Sequence, residues 1–272
     1  MMGSEAPSQA QTIKACCADL YSRDVTRLLL GEALHPGGLA LTRRLAELLG
    51  LGKEDLVLDV AAGLGASALH LAQTVGCRVE GLDLSEANLV HARRSAEEAG
   101  LDGVVRFQAG DAETLPYQDG VFDAVFSECA FCTFPDKERA AREIFRVLRP
   151  GGRLGLADVT VEQEALPDEL RGIVLRAACL ADAETAETYR SLFLQAGFGR
   201  FLMEEHPEAL STLVAEIRTR LRIGRFASKA GLLPFDDIDL DVAERIMAQI
   251  EALVEDGKVG YVVLIAERAN EG

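Results

Sequence analysis

The stretch Leu56-Val57-Leu58-Asp59-Val60-Ala61-Ala62-Gly63-Leu64-Gly65 decides how this chain reads. An apolar run of strand type leads straight into a glycine pair, and a helical pattern follows from Ala66 to Val75. Gly63 and Gly65 let the backbone turn tightly and approach a ligand with no Cβ in the way. The start of the next helix then points free backbone N–H groups at an anionic part of that ligand. The spacing Gly63-x-Gly65-x-x-Ala68 also fits the dinucleotide fingerprint, so the glycines alone leave two ligands open, NAD and S-adenosylmethionine.

Working outward, Val79-Glu80-Gly81-Leu82-Asp83 is a second short apolar run ending in an acid. Such an acid is placed to accept hydrogen bonds from ribose hydroxyls, which both ligands carry. Then follow Phe107-Gln-Ala-Gly-Asp111-Ala112-Glu-Thr-Leu-Pro116, Gly120-Val-Phe122-Asp123-Ala-Val-Phe126 and Leu148-Arg-Pro150-Gly151-Gly152. This ordered series, over roughly residues 50–160, resembles the class I S-adenosylmethionine-dependent methyltransferases. The resemblance implies that the Asp111 carboxylate holds the adenine amino group and the Ala112 N–H meets a ring nitrogen. It implies a cofactor set of Asp59, Ala61, Gly63, Gly65, Asp83, Leu84, Asp111, Ala112 and Ser127, with S-adenosylhomocysteine as the spent product.

Strand and helix patterns alternate from Leu56 onward: strands near 56–60, 79–83, 104–109, 122–126 and 153–159, helices near 66–75, 86–99 and 137–148. Alternation of this kind calls for parallel strands, right-handed crossovers and helices on both faces. The expected architecture is therefore α/β and Rossmann-like, a seven-stranded, mostly parallel sheet. Its last strand is antiparallel and lies over 259–267. The expected units are an N-terminal helical cap (1–50), a cofactor-binding core (51–207), a helical insertion (208–256) and the last strand with its tail (257–272). The insertion reads as a lid over the cofactor mouth, as a homodimer face or as plain packing.

The 272 residues carry a formal net charge of −16 and 49% hydrophobic content. Such a field repels phosphate backbones and anionic lipid, so nucleic acid and membrane surfaces are not expected partners. No apolar run approaches the roughly 18 residues a membrane span needs. The opening Met-Met-Gly-Ser-Glu lacks the basic and apolar regions of a signal peptide, so a cytoplasmic protein with reduced thiols is expected.

Six cysteines stand at 16, 17, 77, 129, 132 and 179. The fourth strand exits at Ser127-Glu128-Cys129-Ala130-Phe131-Cys132, where many small-molecule methyltransferases need an acid or base at the acceptor. A thiolate there is a soft ligand, suited to trivalent arsenic, copper(I) or mercury, whereas a buried free cysteine is simply a small hydrophobe. Ser127-Glu-Cys129-Ala-x-x-x-Phe-Pro-Asp-Lys137 and Ala178-Cys179-Leu-Ala-Asp-Ala183 resemble the arsenite methyltransferase family. That resemblance implies arsenic held as substrate by Cys129 and Cys179, with Cys17 or Cys16 as a third thiol and a thiol reductant as partner. It departs at Gly31-Glu32-Ala33, where the family carries a cysteine. The alternative is a small organic acceptor, such as a quinone or secondary metabolite, with structural cysteines; a module that binds without turnover is a third reading. Cys77 is expected in the core. His35 and His70 read as packing or surface residues.

Overall fold

The computed structural model describes residue 14 and residues 35–171, 180–229 and 239–270. Its strands are β1 (Leu56–Val60), β2 (Arg78–Asp83), β3 (Val105–Ala109), β4 (Phe122–Glu128), β5 (Leu148–Val161), β6 (Gly199–Glu205) and β7 (Val259–Glu267). They form one sheet in the order β3-β2-β1-β4-β5-β7-β6. Strands β1 to β5 pair in parallel, and β7 runs antiparallel between β5 and β6. The expected mostly parallel sheet with an antiparallel last strand is therefore what the chain builds.

The helices are α1 (Gly38–Leu49), α2 (Ala66–Thr74), α3 (Glu86–Glu98), α4 (Lys137–Val147), α5 (Ala186–Ala196), α6 (Pro207–Lys229) and α7 (Leu240–Glu255). Their starts are written in the sequence. Ser85, Asp136, Thr185 and Asp239 each accept a backbone N–H from the first turn of α3, α4, α5 and α7, which satisfies donors that the helix itself cannot. Gly197 closes α5 in the left-handed region.

Strand cores such as Val57, Leu58 and Val60 are fully buried, the pattern of parallel strands covered on both faces. Helix α1 sits so close to β5 that a Cβ added at Gly155 would lie 2.8 Å from Leu45 Cδ1. Strand β5 starts earlier than the alternation suggests. Leu148 pairs with Phe122 before a register shift, so the Pro150-Gly151-Gly152 turn is drawn into the sheet edge. Helices α6 and α7 pack on each other and on β7. The loop around Gly231 and Pro234, the first N-terminal helix and the cysteines at 16, 17 and 179 lie outside the described residues.

Cys77 is fully buried between α2 and β2. Burial pushes its thiol up to about 11, so little thiolate exists at pH 8. Brief alkylation of the native protein at pH 8, followed by peptide mass spectrometry, should modify Cys129 while sparing Cys77. Equal labelling of the two would show that Cys77 is not held in the core.

Candidate functional site

In an open α/β sheet a ligand crosses the carboxyl ends of the strands. Here the parallel register sets Asp59 opposite Gly81 and Phe126, and Asp83 opposite Ala109. Four acids therefore gather at one edge: Asp59 in β1, Asp83 ending β2, Asp111 just after β3, and Glu128 ending β4. They line an open cleft of about 1070 Å³ counting its mouth, concave as ligand sites usually are. Ala61, Gly63, Leu84, Ala112 and Cys129 line it too.

The glycine loop is held by its own backbone and by an acid. The Ala62 N–H donates to Leu82 O at 2.9 Å, and the Gly63 N–H donates to Asp83 Oδ2 at 2.8 Å. The Ser85 N–H reaches Asp83 Oδ1 at 2.8 Å. Both carboxylate oxygens are thus oriented by backbone donors and keep lone pairs for ribose hydroxyls. Burial nevertheless raises the pKa of Asp83 against the pull of these N–H groups. Ala61 adopts a φ of 65°, a left-handed conformation uncommon outside glycine.

Asp59 is the most telling acid. It is buried, and its Oδ2 has no hydrogen-bond partner among the described residues. Burial, then the nearby charges of Glu128 and Asp83, push its carboxyl well above the usual range. A buried acid in this state suits a cation supplied by a ligand. The methionyl ammonium of S-adenosylmethionine carries that charge, and Asp83 and Asp111 suit its ribose and adenine. The residues present fit this cofactor.

Asp111 already has a partner. The Lys14 ammonium lies 2.7 Å from Asp111 Oδ2 and 2.6 Å from Glu113 Oε2, and the Glu113 N–H donates to Asp111 Oδ1 at 2.9 Å. Ser127, expected among the cofactor contacts, does not line the cleft. It is fully buried, and its hydroxyl donates to Val60 O at 2.9 Å as a strut between β4 and β1. Gly65 likewise stands behind the cleft wall, in the left-handed region at the head of α2.

The exit loop after β4 is pinned by aromatic packing. Phe131 is fully buried, with ring centroids 4.9 Å from Phe193 and 5.8 Å from Tyr189. Cys129 lines the cleft at a φ of 52°, its N–H tied to Ala157 O at 2.7 Å. Cys132 is buried one turn later, its N–H donating to Asp158 Oδ2. Cys129 is thus brought to the cleft, while Cys16, Cys17 and Cys179 fall outside the described residues. Among the described residues no group of three or more His, Cys, Asp or Glu side chains is placed to hold a metal ion.

The structure also brings forward two residues that the sequence left aside. Glu128 accepts hydrogen bonds from Ser67 Oγ at 2.6 Å and Thr42 Oγ1 at 3.0 Å, and His35 Nε2 lies 3.5 Å from its Oε2. His35, expected as a packing or surface residue, is buried in the cleft wall. One signal for Glu128 was present: it ends an apolar strand run, as Asp83 does.

A family model described as a methyltransferase domain matches residues 58–156. Sarcosine/dimethylglycine N-methyltransferase from Halorhodospira halochloris is 32% identical over 214 residues, 78% of this chain and 74% of that protein. The chain belongs to the class I S-adenosylmethionine-dependent methyltransferases. Demethylmenaquinone methyltransferase from Thermus thermophilus is 42% identical over 150 residues, 54% of this methyltransferase and 66% of that protein. Phosphoethanolamine N-methyltransferase 2 from Haemonchus contortus, solved with S-adenosylmethionine, shares the fold at a TM-score of 0.78. It is 19% identical, and the match covers 94% of this chain and 60% of that one. The methyltransferase uses S-adenosylmethionine, which the residues lining the cleft fit. Among the described residues no helix is long and apolar enough to cross a membrane.

Proposed function

We propose that this methyltransferase transfers the methyl group of S-adenosylmethionine to a small organic acceptor bearing an N–H or O–H group. The acceptor docks at the end of β4. The observation that carries this reading is Glu128, a buried carboxylate on the cleft wall, held by two hydroxyls beside His35. The cofactor accounts for Asp59, Asp83 and Asp111 and leaves this acid over. Relatives that act on sarcosine and demethylmenaquinone agree with an organic acceptor.

When bound, the cofactor supplies an electrophilic methyl group on a cationic sulfur. The chain's own residues do the rest. Asp59 would meet the methionyl ammonium, Asp83 the ribose and Asp111 the adenine amino group. Fixing both reactants on rigid strand ends makes the transfer effectively unimolecular.

Arsenite as the acceptor is a second reading, favoured by one observation. Cys129 stands in the cleft in a left-handed conformation that costs of order 1–3 kcal/mol, and such strain clusters at working sites. In that reading Cys129 and Cys179, with Cys17 or Cys16, hold arsenic with its lone pair toward the methyl.

Turnover of labelled S-adenosylmethionine against a panel of amines, quinols and trivalent arsenic separates the two. Methylation of an amine or quinol that survives Cys129→Ser and Cys179→Ser is the expected result. Turnover with arsenite alone, nearly abolished by either substitution, would replace the organic acceptor with the metalloid.

A further inference from the structure

Two segments distant in sequence from Glu128, residues 35–42 and the start of α2, converge on its carboxylate. Thr42 comes from α1, Ser67 from the first turn of α2, and His35 from the turn before α1. Glu128 Oε1 accepts from Thr42 at 3.1 Å; Oε2 accepts from Thr42 at 3.0 Å and from Ser67 at 2.6 Å. An ionised carboxylate has about four lone-pair sites, so Oε1, with one bond among the described residues, keeps room for a donor from the cleft. A buried acid that only props up a fold is usually matched by Arg or Lys. This one faces His35, whose Nδ1 lies 3.1 Å from Pro36 O.

We infer that Glu128 takes the proton of the acceptor's N–H or O–H group, with Thr42 and Ser67 fixing its carboxylate and His35 receiving the proton next. This rests on the organic acceptor proposed above. The balance is simple. The acceptor's lone pair forms the new bond to the methyl carbon, and the carbon–sulfur bond breaks with its electrons returning to sulfur. The acceptor's N–H or O–H bond breaks and its proton passes to Glu128. The positive charge on sulfur and the negative charge on Glu128 are both discharged, so no co-reactant is needed. Beside His35, the titratable groups facing Glu128 are Asp59 from β1, with Asp83 behind it on β2, and His70 from α2.

Glu128→Gln keeps the shape and an oxygen for both hydroxyls but cannot take a proton. With an N–H or O–H acceptor its kcat should fall about 10²–10⁴-fold, the usual worth of a positioned base. The deficit should shrink as pH rises and the acceptor sheds its own proton to solvent. The affinity for S-adenosylmethionine, read by calorimetry without any acceptor, should change far less than kcat, because Glu128 reaches Asp59 only through its charge. Thr42→Val tests positioning independently of whether the glutamine variant folds. It should lower kcat while leaving KM and cofactor affinity unchanged.

A Glu128→Gln enzyme with wild-type kcat overturns the inference. So does one whose main defect is weak cofactor binding, because the carboxylate would then belong to the methionyl ammonium. Should the wild-type enzyme turn over only arsenite, the acceptor reading fails before any variant is made.

Discussion

Replacing Asp59 with Asn is expected to stabilise the ligand-free methyltransferase near neutral pH and to weaken S-adenosylmethionine binding by about a hundredfold or more. Both effects come from one buried carboxylate. Its pKa is raised well above 3.8 by burial and by the charges of Glu128 and Asp83. Between the unfolded and the folded pKa, the folded state holds the proton more tightly than the unfolded chain does. The contribution of Asp59 is therefore fully present below about pH 3.8 and is lost as pH rises through its folded pKa.

Asn cannot ionise, so the neutral-pH penalty disappears. Each kcal/mol recovered raises Tm by roughly 2–4 °C in a chain of this size. The same change leaves the cofactor's ammonium without its buried counter-charge, a loss on the order of 3–5 kcal/mol. Thermal melts from pH 5 to 8 should show a flatter pH dependence in Asp59→Asn, and calorimetry should show the lost affinity. Unchanged affinity would mean that the cofactor's cation is not held by Asp59.

The setting of Asp59 was half legible in the sequence. An acid inside a strand that runs into a glycine loop, with further acids at the ends of the next two strands, marks a row of ligand contacts along one sheet edge. Parallel register then brings those strand ends together, which is why Asp83 and Asp111 line the same cleft as Asp59. What the sequence did not convey was burial. Whether Asp59 stands exposed or without a partner depends on β4 and on Glu128, and nothing local to residues 56–65 encodes that.

The Glu128 network was illegible for a related reason. His35, Thr42, Ser67 and Glu128 share no period or motif, and single polar residues on separate elements look like surface until the elements pack. Ser127 misled in the opposite direction. It stands beside the cleft in sequence, yet the two-residue alternation of a strand turns its hydroxyl back onto Val60 O while the side chain of Glu128 lines the cleft. Lys14 on Asp111 also had no sequence signal, since a lone lysine in a helical pattern is ordinarily solvated.

The glycine loop yields the other large effect. Gly65→Ala should destabilise the protein by about 2–5 kcal/mol, read as a lower urea midpoint at constant slope. Two costs add. Gly65 has a φ of 80°, where any L residue gives up roughly 1–2 kcal/mol. A Cβ placed there would stand 2.5 Å from Phe107 Cζ and 3.0 Å from Ala92 Cβ, and overpacking of this kind costs about 1–3 kcal/mol. The two parts are separable because only the second involves Phe107. Phe107→Leu removes the ring edge, so the double variant Gly65→Ala/Phe107→Leu should be more stable than the sum of the single losses predicts. The coupling should be on the order of 1 kcal/mol or more, as for residues in direct contact. Strict additivity would show that the ring does not press on the loop. Gly65 would then be required for its backbone conformation and for its closeness to Ala92 at the start of α2.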